Sequence, residues 1–76
     1  MNGMDGRADI VDLIVRFEGG ELDGPETVEL FSRLVASGDA WRLQGSYGRA
    51  AASLIDAGIL DADGNIDWAR YLEEGA

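Results

Sequence analysis

The chain has 76 residues, with no Cys, no His and no Lys, and fifteen acids against six arginines give a net charge of −9. That length allows one domain with a small core, burying roughly 60% of the unfolded surface. Disulfides are excluded, and a zinc site would have carboxylates alone, an unusual donor set.

The missing residue types also remove the usual general bases and nucleophiles. Carboxylates, Ser, Tyr and Arg remain, and no enzyme activity, catalytic residue, metal or cofactor is expected. Asp56, in "SLIDAG", is the nearest to an acid in apolar surroundings, but beside Ser53 it reads as exposed. Net acidity opposes nucleic-acid binding. The charge is uneven: residues 40–60 carry Arg42 and Arg49 against Asp56, a balance of +1, and the rest carries −10. No apolar run nears the ~20 residues of a membrane span. The opening "MNGMDGRADI" lacks the basic-then-apolar layout of a signal peptide. A cytoplasmic protein with no membrane partner is expected.

The first helix is predicted over about Gly6–Glu18, with Ile10, Leu13, Ile14 and Phe17 on one face. Asp5, Asp9 and Asp12 form a second stripe, and Arg16 follows Asp12 by one turn. Gly19-Gly20 ends this helix. Pro25 suits the first position of a second helix, capped by Asp23 or Gly24. Its buried face is Val28, Phe31, Leu34 and Val35, and Ser37-Gly38 stops it. Asp39 is placed to cap a short helical turn, "AWRLQ". Gly45 then breaks the chain and Ser46 caps a third helix reaching about Ala57, with Gly58 as its stop. Tyr47, Ala50, Ala51, Leu54 and Ile55 form its inner side. The run of alanines at 50–52 allows close approach, which places this helix at the centre of the domain. Asp63-Gly64 marks a tight hairpin-like turn within 59–67, with one or two bridge pairs expected. Asp67 caps a last short helix whose Trp68, Tyr71 and Leu72 point inward. Residues 1–5 and 74–76 are expected to fray. The fold class is therefore all-α: a small single-domain bundle, residues 1–76, of three main helices, a short helical turn, a hairpin-like turn and a short C-terminal helix.

Two motifs carry possible chemistry. "DADGNID" places Asp61, Asp63 and Asn65 at positions 1, 3 and 5 of a calcium-type loop. Ile66 then stands where Gly is required and Leu72 where the bidentate Glu belongs, so a turn plus a helix cap is the reading adopted. "GSYGR" joins two glycines to a helix start, where free N–H groups can bind anions. It lacks the Lys-Ser/Thr of a P-loop and the third Gly of a dinucleotide fingerprint. Arg49 lies in the first turn of its helix, where the dipole disfavours a cation by about 0.3–1 kcal/mol. Glu18, Glu21 or Asp23 could neutralise it from within; otherwise an external anion or acidic partner does so. The order helix, turn, helix, hairpin also resembles a winged helix-turn-helix. Its recognition helix would offer few cations against the about six to ten phosphate contacts of a DNA binder.

The run "ELFSRLVASGDAWRLQGSYGRAAASLIDAGIL" resembles a family of small proteins encoded by tailed phages, especially those infecting mycobacteria and related actinobacteria. That family's pattern is a helix ending near "GELD", a helix ending "SG", and W-x-L-Q-G-x-Y-G-R-x-A-x-x-L-I-x-A-G. Gly20 to Asp23 and Ser37-Gly38 match. So do Trp41, Leu43, Gln44, Gly45, Tyr47, Gly48, Arg49, Ala51, Leu54, Ile55, Ala57 and Gly58. Asp39 departs from it, standing where the pattern carries an apolar residue. The likeness covers about residues 10 to 60 and leaves out the tail from Asp61. It implies a phage origin and a small all-helical domain, and it implies no activity. The leading expectation is a non-catalytic binding module acting on a host or phage protein in the infected cell. Its candidate partner-binding residues are Trp41, Gln44, Ser46, Tyr47 and Arg49. The alternatives are an acidic nucleic-acid mimic, a self-associating structural protein such as a homodimer, and a winged-helix-like DNA binder.

Overall fold

The computed structural model describes the backbone of residues 6–75 and the side chains of residues 10–74. Its helices, in chain order, are α1 (Gly6–Glu18), α2 (Gly24–Ser37), α3 (Gly45–Asp56) and α4 (Trp68–Gly75). A 3-10 turn at Asp39–Trp41 joins α2 to α3. No strand forms among the described residues; a single antiparallel bridge, Leu60 with Ile66, closes the turn before α4. The fold is all-α, as the sequence implies. The predicted frayed residues 1–5 and Ala76 lie outside the described residues, and α4 carries on through Glu74 to Gly75.

Short polar signals set the helix ends. At the start of α2, Asp23 Oδ1 accepts the Glu26 N–H at 2.8 Å, and Glu26 accepts the Asp23 N–H at 3.1 Å. This reciprocal capping box satisfies two donors that a helix start otherwise leaves free. At α4, Asp67 Oδ1 accepts the Arg70 N–H at 3.0 Å. α1 and α3 stop alike. Glu21 N–H reaches Arg16 O and Gly20 N–H reaches Phe17 O; Ile59 N–H reaches Leu54 O and Gly58 N–H reaches Ile55 O. Gly20 and Gly58 sit at φ 73° and 82°, the left-handed position this stop requires.

The start of α3 departs from the sequence reading. Ser46 does not cap it: the helix begins at Gly45, and Gln44 is the cap residue with no side-chain bond. The cause lies upstream. Asp39 O accepts both the Arg42 and Leu43 N–H groups at 3.0 Å, so the 3-10 turn holds the chain coiled as far as Leu43. Only Gln44 is extended, and its carbonyl takes the Tyr47 N–H at 2.9 Å.

α2, not α3, is the central helix. Val28, Leu30, Phe31, Leu34 and Val35 are buried on α2, against Tyr47 and Ala51 on α3. Leu30 falls outside the predicted face yet is fully buried, because α2 is covered on more than one side by α1, the 3-10 turn and α3. Ala51 is fully buried as expected, while Ala52 is exposed. Three aromatic rings, one from each main helix, meet at the centre. Phe17 stands edge-on to Phe31 at 5.4 Å and to Tyr47 at 5.6 Å, and Phe31 lies 6.0 Å from Tyr47. Edge-to-face pairs of this kind add about 0.5–1.5 kcal/mol each beyond burial.

The tail is held against this core from two sides. Gly64 is buried at φ 89°, and a Cβ there would lie 2.5 Å from Ser32 O. Ser32 Oγ donates to Gly64 O. Tyr71 seats its ring over Gly24, at the opposite end of α2. Trp68 and Leu72 do not point inward as expected: they are 40% and 68% exposed. Of the three, Tyr71 is the one packed against the core, and the Trp68 ring stands edge-on to it at 5.7 Å.

Candidate functional site

The segment from the 3-10 turn to the first turn of α3 carries the sequence-predicted site. Trp41, Gln44, Ser46 and Arg49 are all exposed. Tyr47 is not: it is 4% exposed and belongs to the aromatic core, its hydroxyl donating to Glu18 Oε2 at 2.6 Å. Burial, then the hydrogen bond to Glu18 and the Glu18 charge, push its pKa up from 10.0 to about 12. Tyr47 therefore ties α3 to α1 and leaves the other four residues as the surface.

Trp41 is 53% exposed and Leu43 41% exposed. Leu43 was not among the predicted binding residues, although its place two residues after Trp41 was visible. Arg49 folds back over the helix start, its guanidinium 3.2 Å from where a Gly45 Cβ would be. Among the described residues no carboxylate comes within 4.0 Å of it. The acids offered as internal partners are otherwise placed. Glu18 holds Tyr47, Asp23 holds the α2 cap, and Glu21 lies against Gly19. Arg42 has only a 4.0 Å pairing with Asp39, its own side chain 78% exposed. The result is an open surface with a tryptophan, a leucine and two arginines, in a chain that is otherwise strongly acidic.

The glycines of "GSYGR" are less demanding than a phosphate loop. Gly45 and Gly48 both lie inside α3, and neither has a positive φ. A Cβ at Gly48 would make ordinary contact, 3.5 Å from Ala40 O and 3.8 Å from the Trp41 ring.

The acidic turn has its own internal use. Asp61 Oδ1 accepts the N–H groups of Asp63 and Asn65 at 2.9 Å, and Asp61 Oδ2 accepts the Asn65 amide at 3.0 Å. These bonds hold the Asp61 carboxyl below the usual carboxylate range. A shallow groove beside it is lined by Gly58, Leu60, Asp61, Asn65, Ile66 and Asp67. Sequence reasoning gave Arg70 no role, yet its Nε donates to Ala57 O at 2.8 Å, satisfying a carbonyl at the end of α3.

The profile of a domain family, the domain of unknown function DUF7417, matches residues 4–75. The chain belongs to the DUF7417 family. The DUF7417 match runs through the turn and α4, the tail that the sequence resemblance left out. Comparison with curated proteins and with solved structures gives no match. No helix among the described residues of this DUF7417 chain is long and apolar enough to cross a membrane.

Proposed function

We propose that this chain is a small non-catalytic protein-binding module, encoded by a tailed actinobacteriophage and acting in the infected cell on a host or phage protein. The observation that carries the reading is Trp41, 53% exposed beside Leu43, with Arg49 unpaired by any described carboxylate. Fully burying one large apolar side chain yields about 1.5–3 kcal/mol, and a small domain gains by hiding it. Trp and Arg also dominate the residues that anchor protein interfaces. The phage origin and cellular setting rest on the sequence likeness over about residues 10 to 60.

The nucleic-acid mimic needs carboxylates free to imitate a phosphate row. Glu18, Asp23, Glu26, Asp61 and Asp67 instead hold side chains or backbone of this same chain. The DNA-binding reading needs cations on α3, whose exposed face is Ser46, Arg49, Ala52, Ser53 and Asp56, one base and one acid.

Affinity capture from actinobacterial lysate, with and without phage infection, tests the proposal. Wild type recovers a specific protein and the Trp41→Ala variant does not. Recovery of no specific protein, or of the same set by both, counts against it. Binding that is salt-sensitive and competed by DNA would favour the mimic.

A further inference from the structure

Besides the Trp41 surface, a second exposed apolar patch lies on α4. Trp68 and Leu72 are one helical turn apart and share a face, 40% and 68% exposed. The two patches have the same apolar content, a tryptophan and a leucine each. Their charged surroundings are opposite. Arg42 is next to both Trp41 and Leu43 in the chain and Arg49 follows in the first turn of α3, against Asp39, so this segment carries a net +1. Trp68 and Leu72 lie among Asp67, Glu73 and Glu74, with side-chain exposures of 71% for Glu73 and 47% for Glu74. Arg70 is the base of that helix; besides Ala57 O it pairs with Glu73 at 3.7 Å and Glu74 at 3.6 Å, which leaves Asp67, Glu73, Glu74 and Arg70 with a net charge of −2.

The two patches cannot meet within one molecule. Trp41 follows the C-terminal end of α2, and Tyr71 anchors α4 over Gly24 at the N-terminal end. The 14 residues of α2 hold the two ends about 20 Å apart at ~1.5 Å per residue. A second copy of the chain can bring them together.

Resting on the reading of Trp41 as a docking surface, we infer that the chain self-associates head to tail. The Trp68–Leu72 face of α4 in one copy covers Trp41 and Leu43 of the next, with Arg42 and Arg49 facing Glu73 and Glu74. Apolar burial drives the contact and the opposed charges fix its direction. The net charge of −9 on each copy opposes it, but beyond the ~8 Å Debye length at physiological salt that repulsion is screened. Each contact uses two different patches, so every copy keeps one of each free and the assembly is open-ended. A partner acting at Trp41 then binds by displacing α4 of the neighbouring copy.

Sedimentation of the full chain across a concentration series tests this, reaching about 1 mM, the range in which interfaces under ~1,200 Å² assemble. Wild type gains mass with concentration. Trp41→Asp and Leu72→Lys alter exposed side chains; each alone stays monomeric, with melting curves confirming the fold. Mixed in equal amounts, they form a 1:1 dimer and nothing larger, because each supplies the patch the other lacks. Glu73→Arg weakens wild-type association several-fold, and adding Arg49→Glu restores it. A wild type that stays monomeric throughout, or a mixture that stays monomeric, overturns the inference. So does wild-type association by either single variant, which would point to the exposed Val11 and Val15 of α1. A monomeric wild type that still loses its captured partner on Trp41→Asp ends the head-to-tail contact and leaves the docking reading standing. Capture unchanged by Trp41→Asp ends both.

Discussion

Two glycines, Gly64 and Gly48, have opposite structural demands. Gly64 is in the left-handed region and a Cβ there would press into Ser32 O. Gly64→Ala combines backbone strain of about 1–3 kcal/mol with that clash, and urea unfolding should show a loss of at least 2 kcal/mol, roughly. Gly48 is a helical residue with room for a methyl group. Gly48→Ala should therefore stabilise by up to about 1 kcal/mol, the helix-propensity difference between the two residues. A marked loss on Gly48→Ala would mean that close packing requires this glycine. Tyr47 gives a pH signature. Its pKa rises from 10.0 unfolded to about 12 folded, so the fold favours the neutral phenol. Its contribution is complete below pH 10 and erodes as pH rises from 10 to 12. The chain has no Lys or Cys to titrate in this window. Melting temperature should hold to pH 10 and then fall, and in a Tyr47→Phe variant the fall should flatten. An unchanged profile would contradict the burial of the Tyr47 hydroxyl beside Glu18. The sequence showed Tyr47 both on the inner face of its helix and among the binding candidates. Only the packing of Phe17, Phe31 and Tyr47 decides for the first.

The elements were most legible where one side chain acts on its own backbone. Asp23 and Asp67 cap where expected, and Gly20, Gly38 and Gly58 end helices as glycine does. Such signals are local, and sequence carries them directly. Ser46 failed because the start of α3 depends on where the preceding 3-10 turn releases the chain, which is not local to Ser46. Trp68 and Leu72 failed for a related reason: an apolar stripe shows that a helix has a face to cover, not that this molecule covers it. The capping box gives the test at this scale. Asp23→Ala should cost about 1 kcal/mol, within the 0.5–2 typical of a lost N-cap, seen as a shifted urea midpoint with unchanged slope. Glu26 also bonds Arg16 at 3.2 Å across α1 and α2. A double-mutant cycle between Asp23 and Arg16 should therefore show coupling through Glu26. Strict additivity would separate the cap from the α1–α2 contact.

For the molecule as a whole, the all-α class was readable because hydrophobic spacing and stops agree along the chain. The identity of the central helix was not. Small residues on α3 suggested a centre, but the larger side chains of α2 bury more, and burial decides which helix the others pack around. Charge was legible only as a total. Its consequence emerges when Glu18, Asp23, Glu26, Asp61 and Asp67 are seen to hold their own chain while Arg49, like Arg33, has no carboxylate partner among the described residues. The central claim is that Arg49 serves a contact outside the fold. Partner capture by wild type and Arg49→Ala, compared at equal amounts of folded protein with melting temperature measured alongside, tests it most directly. The account predicts an Arg49→Ala chain that melts within about 1 °C of wild type, as for a neutral surface substitution, and that loses its partner. A melting temperature lowered by several degrees, or capture identical to wild type, would contradict it.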